Sequence, residues 1–186
     1  MTFLTELWAP ILLSAVLVFV MSSIIHMVLR YHKNDFRRLS DETRIQESLR
    51  AFNIPPGDYM LPCAGGAEAM KSEEFQEKVK KGPIVVMTVM PAGGFGMGKS
   101  LFLWFVYCVI VGFFAAYIAY HTMTPQTHYL QVFRVVGTAT FMGYSLALLQ
   151  GAIWYKKSCR STMLSVFDGL IYALLTAGVF GWLWPR

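Results

Sequence analysis

The sequence predicts an all-α integral membrane protein: four transmembrane helices, with a small cytosolic α+β insert between helices one and two. Three observations predict it. Of the 186 residues, 55% are hydrophobic and only 15% are charged, against ~25% charged in a typical soluble domain. The shortfall is concentrated in four long apolar runs. Lys and Arg gather in the segments on one side of those runs.

The runs cover residues 8–29, 101–120, 132–154 and 163–184, and hold only Arg134 and Asp168 as charged residues. A bilayer core is ~30 Å thick and takes about 20 apolar residues in a helix. Hydrocarbon offers no partner for open backbone groups, so each run is expected to be helical. The organisation is then 1–32 for an outer N-terminus and transmembrane helix 1, 33–100 for the cytosolic insert, and 101–186 for transmembrane helices 2–4. The first run is expected to stay in the mature protein. It is preceded by Glu6 and no Lys or Arg, and is long for a signal-peptide core.

Orientation follows from charge asymmetry, because Lys and Arg concentrate in cytosolic loops. Residues 30–99 hold eleven of the sixteen: Arg30, Lys33, Arg37, Arg38, Arg44, Arg50, Lys71, Lys78, Lys80, Lys81 and Lys99. The loop between runs three and four holds Lys156, Lys157 and Arg160, whereas residues 121–131 hold none. Both termini are expected outside a bacterial inner (plasma) membrane, with the insert in the cytosol. Trp8, Trp182 and Trp184 fall at the outer interface and Trp104 and Trp154 at the inner one, depths that amphipathic indoles favour.

Small residues recur every fourth position in the last two runs: Ala139, Gly143, Ala147 and Gly151, then Gly169, Ala173, Ala177 and Gly181. Residues four apart share a helix face, and small faces let membrane helices approach closely. The spacing predicts an antiparallel hairpin with the stripes facing each other.

In the insert, Ser40 or Asp41 is placed to cap a helix carrying Ile45, Leu49 and Phe52. Pro55-Pro56-Gly57 ends it. Ser72 caps a second helix over 73–80, with acids early, lysines late and Gly82 past its end. The β-rich run 83–90 is expected to pair with the Tyr59 region. So small an insert has little core of its own, and is expected to rest on anionic head groups.

Candidate chemistry is sparse. Gly93 to Ser100 fits a phosphate-binding G-x-x-x-x-G-K-S loop. The insert cannot supply the α/β sheet such a loop needs, so no nucleotide partner is expected, and no nucleic acid either. Cys63, Cys108 and Cys159 form no paired motif. His121, Met123 and His128 share a loop, but without the repeated spacing of a copper site. No metal or cofactor is expected. Ionisable groups within a span are costly and are functional candidates by default. Asp168 in the fourth run is expected at the depth of His26 and Arg30 in the first, which makes a His26–Arg30–Asp168 polar cluster or a structural ion pair.

With no catalytic set legible, the sequence points first to a non-catalytic accessory or self-associating subunit of a membrane complex. The expected partners are the bilayer and a membrane protein or second copy. A transporter or channel using the polar cluster is the second reading. The third is an interfacial membrane enzyme using His26, His32 and Asp168.

Overall fold

The computed structural model describes residues 3–93 and 96–185. In chain order the elements are α1 (Phe3–Ser23), α2 (Glu42–Ala51), β1 (Gly57–Leu61), α3 (Ala67–Lys71), α4 (Glu73–Lys81), β2 (Val85–Val89), α5 (Met97–Thr122), α6 (Tyr129–Phe141), α7 (Leu148–Tyr155) and α8 (Cys159–Trp182). Two wide, π-type turns extend this set: Ile24–Leu29 continues α1, and Met142–Leu146 joins α6 to α7. Gly94 and Phe95 of the glycine loop lie outside the described residues, as do Met1, Thr2 and Arg186.

The chain divides into two compact units, one from residues up to Arg37 and from Gly96 onward, the other beginning at Arg38. The first holds four helices long and apolar enough to cross a membrane: Phe3–Leu29, Met97–Thr122, Tyr129–Tyr155 and Cys159–Trp182. They make a closed ring. α1 packs on α5 and α8, and α6 packs on the same two neighbours. The outward faces stay apolar, as with Leu12, Val16 and Val20 on α1 and Ile110 and Phe114 on α5. Such a ring is compatible with a multi-pass membrane protein, where apolar surface faces lipid instead of a core.

The interior has two layers. Towards the end where α1 begins and α8 finishes, Leu7, Ile11, Ala115, Ala119, Val132, Val136, Ala177 and Phe180 form an apolar cluster. Gln126 N donates to Pro185 O at 3.0 Å and Trp184 Nε1 to Thr124 O at 3.1 Å, closing that end. Towards the other end the packing is richer in polar atoms, with Cys108, Tyr144 and Tyr172 among Ala15, Val18, Ile25 and Val111. Buried Thr140 and Thr176 lie between and donate to carbonyls of their own helices at 2.8 and 2.9 Å.

The small residues of α8 face α6 and the wide turn after it. A Cβ on Gly169 would collide with the Ser145 hydroxyl, and one on Gly181 would stand 2.6 Å from the Tyr129 ring. Ala173 and Ala177 are buried. The stripe of the preceding helix does not stay on one face. Ala139 is half-buried against the apolar cluster, but Gly143 turns toward α5, where an added Cβ would lie 3.2 Å from Val111. Ala147 is exposed, and Gly151 borders the Lys157 side chain. The wide turn Met142–Leu146 is the reason, since an extra residue in one turn rotates everything after it and breaks the four-residue spacing. The face of α6 that meets α8 instead carries Val132, Val136, Gly137 and Thr140.

The second unit is small and open. The Asp41 carboxylate accepts from Arg44 N at 3.1 Å and caps α2, and Ser72 Oγ accepts from Phe75 N at 3.2 Å and caps α4. Gly82 ends α4 at φ 58°, a left-handed conformation that glycine adopts without steric cost. β1 and β2 pair antiparallel, with Gly57 opposite Val89 and Leu61 opposite Val85. None of the described residues of this unit is buried.

A histidine–aspartate cluster at one end of the bundle

The end opposite the apolar cluster carries a polar site whose members come from two places in the chain. α1 ends in the wide turn Ile24–Leu29, and Arg30 then takes a left-handed conformation, φ 50°. A single tight turn, Tyr31–Asn34, follows. This reversal carries Tyr31 and His32 to α8, where Asp168 is only 3% exposed.

Asp168 accepts two hydrogen bonds. The Tyr31 hydroxyl donates to Oδ1, and His32 Nε2 stands 2.7 Å from Oδ2. The other ring nitrogen of His32, Nδ1, lies 2.6 Å from Asp35 Oδ2. The imidazole is thus clamped between two carboxylates. Burial works against the charged imidazolium. The hydrogen bonds and charges of Asp35 and Asp168 outweigh it and raise the His32 pKa above its ordinary value. Burial likewise works against the Asp35 carboxylate, but the His32 hydrogen bond, the nearby Ser161 hydroxyl and the charges of His32 and Arg160 hold its pKa below the usual range. The Tyr31 hydroxyl is pushed up, first by burial and then by Asp168.

His26 completes the group. Its ring lies parallel to that of His32, with centroids 4.8 Å apart. His26 Nδ1 is 3.0 Å from the carbonyl of Ser22, one helical turn back. A carbonyl only accepts, so Nδ1 carries the proton and the neutral ring keeps its lone pair on Nε2. One donor atom from each of His26, His32 and Asp168 lies within 4.8 Å of the other two. Beneath Asp168, Tyr172 packs edge-on against Trp104 and Tyr144, with ring centroids 5.9 and 5.6 Å apart. Trp104 Nε1 donates to Ser22 Oγ at 2.9 Å and ties α5 to the turn that precedes His26. An open groove of about 490 Å³, lined by His26, Met27, Arg30, His32 and Lys33, runs beside the two imidazoles.

Of the residues expected in a polar cluster, His26 and Asp168 are together. Arg30 is not with them: its Nε donates to Met27 O at 3.1 Å, and the side chain is exposed. Tyr31 and His32 stand where Arg30 was expected. A helical projection carries α1 straight through Arg30 and cannot show a reversal there. The legible signal was Tyr31-His32-x-x-Asp35, aromatic and ionisable residues crowded just past a span. His121 and His128, at the other end, take local roles. His121 packs edge-on against Tyr117, and His128 Nδ1 accepts from Leu130 N at the start of α6.

Comparison with known proteins gives no match to this chain, whether among family models, curated proteins or solved structures.

Proposed function

We propose that the chain is an interfacial membrane enzyme of the bacterial inner membrane, acting through His26, His32 and Asp168 on an anionic amphiphile at the cytosolic face. The observation that carries this reading is the convergence of the two imidazoles and the buried carboxylate beside a groove edged by Arg30 and Lys33. The His26 Nε2 lone pair supplies a base, the His32–Asp168 pair a fixed acid–base partner, and the two cations a seat for a phosphate or carboxylate group. The Lys and Arg asymmetry supports an orientation with residues 33–100 in the cytosol and both termini outside. In that orientation the cluster lies at the inner interface. The apolar layer around Phe180 supports a site reached from one side rather than a conduit.

The test is turnover. Purified full-length protein in vesicles of phosphatidylglycerol and phosphatidylethanolamine is followed by phosphorus NMR and lipid mass spectrometry. A time-dependent headgroup change that His26→Ala abolishes is the expected result. Unchanged lipids at high protein load overturn the enzyme reading.

A second reading is association with another membrane protein or a second copy. The exposed Ala147 supports it, a small residue on the outer surface of the ring where a neighbouring helix can approach. Extraction in native-lipid particles followed by mass spectrometry tests it: a stoichiometric partner lost in Ala147→Leu supports this reading, and a lone monomer overturns it.

A further inference from the structure

We propose that His26, His32 and Asp168 form a binding site for one divalent transition-metal cation of the zinc class. The inference deepens the reading of this cluster as the working site and rests on it, with one change of role: with an ion bound, His26 Nε2 would be a ligand, and water in the ion's open position would take its place as the base.

Ligand chemistry comes first. Two imidazoles and one carboxylate are a donor set suited to zinc and its neighbours, and three protein ligands leave a fourth position for water or substrate. Here that position faces the groove beside Arg30 and Lys33. Each donor is also held from behind. A metal-ligating histidine usually gives its other ring N–H to a carboxylate or a backbone carbonyl, which fixes the tautomer and aims the free nitrogen at the metal. Both histidines show this arrangement. His32 Nδ1 faces Asp35 at 2.6 Å, and His26 Nδ1 faces the Ser22 carbonyl at 3.0 Å. Tyr31 holds the Asp168 oxygen that His32 does not reach.

A purely structural lock between α8 and the segment after α1 requires only His32 and Asp168. It gives no role to His26, whose Nε2 is left free by the Ser22 bond and whose ring is stacked flat on His32.

Two movements are required. Zinc–ligand bonds are about 2.0–2.2 Å, so two donors on one tetrahedral ion stand roughly 3.3–3.5 Å apart. The His32 Nε2–Asp168 Oδ2 pair, now at 2.7 Å, opens by less than an ångström as the ion replaces the shared proton. His26 must also rotate out of its stack on His32, because an imidazole binds an ion in its own ring plane and two parallel rings cannot share one; its exposure on the groove side leaves room for that turn. The π-type turn that carries it is a helix irregularity often found at functional sites.

The experiment uses the untagged full-length chain, stripped with chelator and held in lipid nanodiscs. Zinc is titrated by calorimetry with elemental analysis, and cobalt is titrated in parallel for its visible spectrum. The expected result is one ion per chain and a four-coordinate cobalt signature. Affinity should fall by a hundredfold or more in His26→Ala and Asp168→Asn, and about 10–100-fold in Asp35→Asn, the range for losing such a backing partner. His121→Ala should bind as the parent does. His26 is exposed, so its variant keeps the fold; equal thermal unfolding of the stripped parent and His26→Ala verifies this. No stoichiometric binding, or binding unchanged in both His26→Ala and Asp168→Asn, overturns the site. The two proposals fail separately. Lipid turnover without metal binding rejects the metal and keeps the enzyme. Metal binding without turnover of any anionic amphiphile keeps the metal and rejects the enzyme.

Discussion

His32 reaches Asp168 at 2.7 Å across 136 residues of sequence. One imidazole thereby fastens the segment that leaves α1 to the buried side of α8. Removing one partner of such a buried pair costs about 3–5 kcal/mol, since the other is left uncompensated. Tyr31 still serves Asp168 when His32 is gone, which places His32→Ala near the low end, about 3 kcal/mol of unfolding free energy. Arg30→Gln should change stability by less than about 0.5 kcal/mol, as expected of a surface substitution, because among the described residues its guanidinium bonds only the Met27 carbonyl. Reversible unfolding in mixed micelles measures both. A larger loss from Arg30→Gln than from His32→Ala contradicts this arrangement.

Gly169 is the tightest glycine of α8. An added methyl would collide with Ser145 Oγ and stand 3.2 Å from Tyr144 Cβ and 3.3 Å from Ser145 Cβ. Overpacking of this kind costs about 1–3 kcal/mol. Gly169→Ala should therefore lower the unfolding temperature in detergent by several degrees. Gly98→Ala should not lower it, because nothing lies within 4 Å of the added atom. A double variant, Gly169→Ala with Ser145→Ala, should recover part of the loss, and failure to do so would place the clash elsewhere.

These two sites mark what a linear reading can and cannot reach. The four long apolar helices were legible from hydropathy. So was the pairing of the two β-rich runs, from composition, and so were the caps at Ser72 and at Ser40 or Asp41, because a cap depends on neighbours in sequence. The α8 stripe was legible for the same reason, since an unbroken helix keeps residues four apart on one face. Its counterpart in the preceding helix was not. One wide turn at Met142–Leu146 rotates Gly143 toward Val111, and nothing in the residue pattern announces an inserted backbone position. Asp168 and His26 stood out as ionisable residues in apolar surroundings. A continuous helix would place Arg30 one turn past His26, in the same cluster. The left-handed break at Arg30 hands that position to Tyr31 and His32.

Orientation can be tested with the cysteines the chain already has. Cys63 and Cys159 are exposed and Cys108 is buried. If residues 33–100 and the loop before α8 face the cytosol, an impermeant maleimide should label neither exposed cysteine in intact spheroplasts. It should label both after permeabilisation. A cysteine introduced at Thr127 should react without permeabilisation. Labelling of Cys63 from outside reverses the orientation and moves the histidine cluster to the other face of the membrane.

Trp104 offers a test of how the cluster is positioned. Its indole N–H donates to Ser22 Oγ at 2.9 Å, and the same hydroxyl donates to Phe19 O at 2.9 Å. The Ser22 carbonyl in turn holds His26 Nδ1. A link therefore runs from α5 through Ser22 to the imidazole. A net hydrogen bond of this type contributes about 0.5–1.5 kcal/mol, so Trp104→Phe and Ser22→Ala should each destabilise by about that amount. Because they remove the same bond, their effects should not add, and a double-mutant cycle should return a coupling of at least 0.5 kcal/mol. Ser22→Ala keeps the backbone carbonyl but frees the turn to shift, so His26 should lose some of its aim and cobalt affinity should fall by a few-fold. Strict additivity of the two substitutions, with cobalt affinity unchanged, would mean that the indole packs beside this turn without holding it.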